Sequence, residues 1–369
     1  MTRPLIALFA AALMLLTAAP GLGATLSPVL QLTPRLEVRR DLDESPKYPL
    51  IFISRFGAGS KVGPWQARAV GQSTGRYEHG RKLQLYEGWL GGSGDGWAVR
   101  AGRQIIFWHE GRLMFHRRWR PQGITHDALR FRAWGDGWNI DAAVGKPFDE
   151  ERPFIALRSG IRWGAKRAAS EGLVDAIYIR DAVSWTGLAR HTFGLWARLR
   201  AGNHTVRIEG YGQTGELGNG TEVSAWMGSL KLTTRTGGWR LSLYGDALSG
   251  DAEGAAKGSG SFHVLHGARH GFYGMIDQAY LQRGGPVDGK GLATGGVVGD
   301  WRDGPWRFVA HLCDHRFANL DELGTELDLF IRYKASKRAS VVIGASALTD
   351  PPTKPKLFGY VAWLFNLGK

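Results

Sequence analysis

The sequence has a single cysteine, Cys313, in 369 residues. No intrachain disulfide can form, which excludes a small disulfide-stapled secreted domain. Nothing around Cys313 frames it as a nucleophile, and no local signature sets a Ser or His beside a base. The chain therefore reads as a non-enzyme that needs no cofactor. Long apolar runs are also scarce. Beyond the first 24 residues no stretch suits a membrane helix of about 20 residues. There is no linker, Ser/Pro-rich hinge or charge block to divide the chain. Acidic charge is in deficit, 33 acids against 47 Lys plus Arg, for a net charge of +14. His263, His266 and His270 have a spacing that could hold a metal, but they lie in a Gly-rich loop without a further ligand, so no metal site is assigned.

Residues 1–24 read as a secretory signal. Arg3 supplies the positive end, Leu5 to Ala19 is apolar, and Pro20-Gly21-Leu22-Gly23-Ala24 offers small residues for cleavage. A translocated basic chain is a poor nucleic-acid binder by compartment. Its expected counterparts are anionic polysaccharide or small anions, with outer-membrane lipid and lipopolysaccharide around it.

Gly (53) and Trp (15) are abundant. A membrane-spanning barrel uses both, Gly in turns and Trp in interfacial girdles. The main pattern is alternation in runs of about ten residues, the strand period of two. In Glu326 to Lys334, Leu327, Leu329, Ile331 and Tyr333 share one face, and Glu326, Asp328, Arg332 and Lys334 the other. Residues 25–369 therefore read as one all-β unit, a transmembrane antiparallel up-and-down β-barrel of the Gram-negative outer membrane. A bilayer allows no other non-helical span, because every backbone group must be paired internally.

Turn signals recur before Trp: Gly94-Asp95-Gly96 before Trp97, Gly135-Asp136-Gly137 before Trp138, Gly237-Gly238 before Trp239 and Asp303-Gly304-Pro305 before Trp306. Short turns are expected at 57–63, 91–96, 135–137, 164–172, 201–203, 234–238, 302–305 and 335–338. Longer connections are expected near 40–47, 73–81, 107–127, 147–152, 184–189, 215–222, 252–290, 318–323 and 349–356. These connect 18 strands with both termini at the short-turn end, the periplasmic side in bacterial barrels. Tyr48 to Phe56 and Pro153 to Trp163 alternate poorly, and dropping both gives 16 strands.

Assigning each charged strand face to the lumen gives Arg35, Arg100, Arg130, Arg132, Arg198, Arg207, Arg240, Arg307, His311 and Arg332, with Asp141, Glu209, Glu326 and Asp328 among them. Such charges can brace the wall in cross-strand pairs, and an excess of Arg selects anions. Within the loop 252–290, Gly254, Gly258 and Gly260 suggest mobility. Phe262, Phe272, Tyr273 and Met275 suggest a folded-in middle. A gate partly closing the outer mouth is expected; a surface loop against lipopolysaccharide is the competing reading.

Three blocks carry a family likeness. The first holds Val99-Arg100-Ala101-Gly102-Arg103-Gln104, Gly111-Arg112, Trp119 and Asp127 to Arg132. The second holds Ser249-Gly250-Asp251, Phe262, Leu265, His266, Phe272-Tyr273-Gly274 and Asp277. The third is Gly324 to Leu329, with Glu209 and Gln213 between. Together they resemble the alginate-export porin family. That resemblance implies an eighteen-stranded barrel and an Arg-lined constriction. It also implies export or diffusion of an anionic substrate, such as an acidic polysaccharide, with a periplasmic export scaffold among the partners. A general or small-organic-anion diffusion porin is the alternative. The gating loop is then Phe262, His266, Phe272, Tyr273 and Asp277. The loops are compact for that family, and none is expected to plug the pore.

Overall fold

Alternating side chains make a strand with two unlike faces, and such strands must close on themselves or bury one face. Here they close. The computed structural model describes residues 25–41, 47–76, 80–116, 119, 121–164, 170–183, 187–218, 220–256, 258–268, 270–276, 289–349 and 356–368. The expected signal, residues 1–24, lies outside the described residues.

Eighteen antiparallel strands run in chain order: β1 (Thr25–Asp41), β2 (Leu50–Val62), β3 (Trp65–Arg76), β4 (Arg81–Gly94), β5 (Trp97–Gln104), β6 (His126–Gly135), β7 (Trp138–Pro147), β8 (Phe154–Trp163), β9 (Ser170–Val183), β10 (Leu188–Ala201), β11 (His204–Glu216), β12 (Glu222–Thr236), β13 (Trp239–Leu248), β14 (Leu292–Asp303), β15 (Trp306–Arg316), β16 (Glu322–Tyr333), β17 (Ala339–Thr349) and β18 (Lys356–Asn366). Each pairs with its neighbours in sequence, and β1 pairs with both β2 and β18. The sheet thus has no free edge. Both weakly alternating segments are strands, β2 and β8, so the count is 18 and not 16.

The tight turns work as their sequences suggest. Gly96 and Gly137 close Gly-Asp-Gly turns at φ 75° and 78°, a left-handed conformation that costs glycine least. Trp97, Trp138, Trp239 and Trp306 each begin a strand directly after such a turn and point outward. Between the ends, the outward face is aliphatic. On β6, Leu129 and Phe131 are 51% and 47% exposed while Arg130 between them is 8% exposed. On β16, Leu327, Leu329 and Ile331 face out, and Glu326 and Asp328 are buried on the inner side.

Candidate constriction and lumen

The described residues of two long connections, 105–125 and 249–291, fold into the barrel instead of standing above it. The first opens with Ile105-Ile106-Phe107-Trp108, an apolar run that water would penalise. Ile106, Trp108, Leu113 and Met114 from it pack with Phe262, Val264, Leu265, Phe272 and Tyr273 from the second. The wall completes this core with Phe154, Ile177, Ile179, Trp196, Met227 and Leu248. The loops also join through backbone: Met114 bridges His266, His266 N–H donates to Leu113 O (3.1 Å), and Ala268 N–H to Gly111 O (2.7 Å).

The described residues expected to gate the outer mouth sit inside the barrel. Phe262, His266, Phe272 and Tyr273 are all buried. Each large apolar side chain so placed contributes about 1.5–3 kcal/mol, so the segment is a packed constriction. Asp277 lies outside the described residues. The sequence singled out no segment as a plug; the described residues of 105–125 narrow the lumen further.

That loop spans the lumen. At one end Arg112 donates to Asp246 on β13 (2.7 Å), to Ser229 on β12 (3.2 Å) and to Tyr273 of the second loop (2.9 Å), and lies 3.4 Å from Glu209 on β11. Its guanidinium stacks 3.8 Å from the Phe272 ring. Burial alone would lower the Arg112 pKa, but Asp246, Tyr273 and Glu209 outweigh it and hold the charge firmly. At the other end Gln72 on β3 donates to Pro121 O and Gln122 O (3.1 and 2.9 Å), and Trp119 sits 3.9 Å beneath Arg35 on β1. Strands β3 and β12 are nine places apart in an 18-strand ring, so the loop reaches opposite walls. Between these ends Trp108 Nε1 donates to Asp141 (3.0 Å), and His109 lies 2.5 Å from Asp175 with its ring stacked on Trp196. Burial dominates at His109 and lowers its pKa.

The predicted lumen residues divide into two sets. Arg35, Arg130, Arg207, Asp141, Glu209, Glu326 and Asp328 are buried. Arg130 is held by Asp141 through two bonds (2.8 and 2.5 Å). Arg35 pairs with Glu37 (2.8 Å). Arg207 pairs with Glu209 (3.1 Å) and with Glu110. These seven anchor the loops and the wall, and Arg207 and Asp328 also border a lumen cavity. The second set stays open to the lumen. Arg100 and Arg132 flank Trp89 and Trp134, and Arg198 lies 3.5 Å from Glu171. Arg240 and Arg307 share Asp300. His311 bonds Tyr244 and Asp328, and Arg332 donates to Ser340 (3.0 Å).

Two cavities of about 460 and 470 Å³ meet at Arg332. Arg55, Arg68, Lys334 and Arg338 line the first. The second sets Arg207, Lys231 and Arg307 opposite Phe272, Phe330 and Tyr360. Residues that sequence reasoning missed are His109, Glu110, Lys231's pairing and Gln72. The apolar run at 105–108 was the available signal. The three loop histidines do not converge: His263 Nδ1 accepts from Leu265 N–H (3.0 Å), and His270 Nδ1 faces Met275 O (3.1 Å). No group of three or more His, Cys, Asp or Glu among the described residues is arranged to hold a metal.

No family model and no curated protein matches this chain, so the alginate-export resemblance gains no support there. Solved structures do match. OccK2 (OpdF) of Pseudomonas aeruginosa, solved in complex with glucuronate, is 12% identical at a TM-score of 0.67, with 93% of this chain and 98% of that chain covered. The Pseudomonas aeruginosa outer membrane protein OpdK is 10% identical at 0.65, with 93% and 98% covered. Acinetobacter baumannii OccAB4 is 9% identical at 0.63, with 92% and 97% covered. At these identities the likeness establishes the eighteen-stranded fold.

Proposed function

We propose that this chain is a passive porin of the Gram-negative outer membrane that admits small organic anions. One observation carries the reading: the accessible charge of the lumen is basic. Asp141, Asp175, Asp181, Glu209, Asp246, Asp300, Glu326 and Asp328 on the inner side are all buried, and the inward acids that keep surface, Glu87, Glu110 and Glu171, are each paired with an arginine. Arg100, Arg132, Arg198, Lys231, Arg240, Arg307 and Arg332 keep surface in the lumen. Asp300 alone sits among the guanidiniums of Arg240, Arg302 and Arg307. A carboxylate entering this low-water space meets forks that suit it. Local acids shorten its stay, as passage requires.

The aliphatic outer face and its Trp rim support a bilayer setting. The likeness to an outer membrane protein and to a glucuronate complex points the same way. Two loops filling the mid-lumen favour small solutes over the acidic polysaccharide that the sequence suggested. Single-channel recording with glucuronate and with oligo-uronates tests this. Glucuronate should permeate or flicker-block, and long oligomers should only plug. Free passage of oligomers would restore the polysaccharide reading.

A further inference from the structure

The loop 105–125 touches the wall through four nearly consecutive side chains: Trp108, His109, Glu110 and Arg112. Three of these are sealed in. Trp108 and Arg112 are buried, and the His109 side chain is only 7% exposed. The Glu110 side chain is 49% exposed. Burial therefore separates three anchors from one accessible carboxylate.

Backbone geometry explains the exposure. Gly111 N–H donates to Trp108 O (2.8 Å), which closes a tight turn. His109 takes φ 50° and Gly111 φ 91°, both left-handed and unfavourable for an ordinary side chain at His109. A β-carbon on Gly111 would also come within 2.5 Å of the Phe115 ring. The turn thus projects Glu110 from its tip into the lumen. There the carboxylate pairs with Arg207 and lies 4.0 Å from Lys231 Nζ. Arg207 and Lys231 are direct cross-strand partners, and Arg198 is the partner of Arg207 on its other side. Three like charges in one row are unfavourable without a counter-anion. Glu209 takes Arg207 from behind, and Glu110 supplies charge from the lumen side.

We propose that Glu110 is a tethered competitor, holding Arg207 and Lys231 as a small carboxylate would until a transported carboxylate displaces it. The inference rests on the anion-porin reading and names its binding site. The loop does not leave when Glu110 lets go, because Trp108–Asp141, His109–Asp175 and Arg112–Asp246 keep it seated. An incoming carboxylate takes over the Arg207 guanidinium nitrogen that Glu110 held, and the Lys231 ammonium. Arg307 and Arg332, which line the same cavity, offer the next hold. Displacement by an internal rival also explains how so basic a lumen releases its solute, since the tethered carboxylate returns at high effective concentration.

The test is glucuronate block of ion current through the full-length protein, in wild type, Glu110→Gln, Glu110→Asp and the double variant Glu110→Gln/Lys231→Gln. Gln keeps the size and removes the charge. Glu110→Gln should be blocked at about tenfold lower glucuronate concentration, a change of one decade in dissociation constant. Glu110→Asp should stay near wild type, and the double variant should lose the gain. Equal block in wild type and Glu110→Gln, with anion preference intact, overturns the competitor and leaves the porin reading standing. Cation preference in wild type overturns both. If Glu110→Gln fails to insert, weaker block in Lys231→Gln alone supports the site, and unchanged block overturns it.

Discussion

At the level of single residues, the lumen shows how one residue type takes opposite roles through its neighbours. Arg130 and Arg132 stand two apart on β6 and share the inner face. Arg130 is consumed by Asp141, and Arg132 remains in the lumen. Sequence alternation puts both on one face, but it carries no information about which acid lies opposite. Arg112 is the extreme case, with its partners 97 to 161 residues away. Replacing Arg112 by Met leaves Asp246 buried without its counter-charge and Glu209 with Arg207 alone, which should cost about 3–5 kcal/mol. Heat-modified mobility on a denaturing gel should shift to lower temperature, and open-channel conductance should rise as the loop unseats. Unchanged conductance would mean that Arg112 does not hold the constriction. Arg112→Lys should rescue little, because an ammonium cannot reach four acceptors in a fork.

Glu110 also makes a pH prediction. Desolvation raises its carboxyl, but Arg207, Lys231 and Arg112 outweigh that and hold it below the ordinary glutamate range. Glu209, bound to Arg207 from behind, is the other acid facing this row. A depressed pKa means that the ion pair is present above the unfolded value and lost only as pH falls through the lower folded value. Chloride selectivity should therefore not respond to Glu110 between about pH 5 and 8. It should rise in more acidic buffer, and Glu110→Gln should abolish that rise. A wild-type transition near pH 6 that Glu110→Gln removes would contradict the assignment.

At the level of elements, the strands were legible and the loops were not. Period-two alternation with tight turns yields the count of eighteen strands, though the turn expected at 57–63 falls at 63–64 because Gly57 to Val62 continue β2. β2 and β8 alternated poorly, as in Arg55-Phe56-Gly57, yet they pair along their length with both neighbours. Ladder bonding and closure override local pattern there. The connection 105–125 has no period to read. Its apolar run, Arg112 and Trp119 make sense only once opposite walls are known to lie within reach. The loop 249–291 had the right anchors, Phe262 and Tyr273, but mobility inferred from glycines gave way to packing.

Register can be tested on β16. Leu329 faces out near the middle of the strand, and Arg332 faces the lumen. Leu329→Arg should destabilise the barrel by about 2–4 kcal/mol, read as the shift in a urea unfolding curve in lipid vesicles. Arg332→Leu should fold normally and move the reversal potential toward cations. If Leu329→Arg were neutral and Arg332→Leu destabilising, the faces would be exchanged.

For the whole molecule, the logic is one of charge segregation by burial. The chain carries +14 overall, but net charge alone does not set selectivity. What matters is that most inward carboxylates are buried while guanidiniums and an ammonium keep surface in the lumen, with Glu87, Glu110 and Glu171 as the paired exceptions. Apolar side chains outside, most acids buried inside and bases in the channel give each class of residue its own solvent. The central claim is that this arrangement selects anions, and the reversal potential in a potassium chloride gradient tests it most directly. Wild-type protein in a planar bilayer should reverse on the chloride side of zero, with the preference shrinking as salt screens the lumen. Reversal on the potassium side would contradict the account and leave only the eighteen-stranded barrel in place.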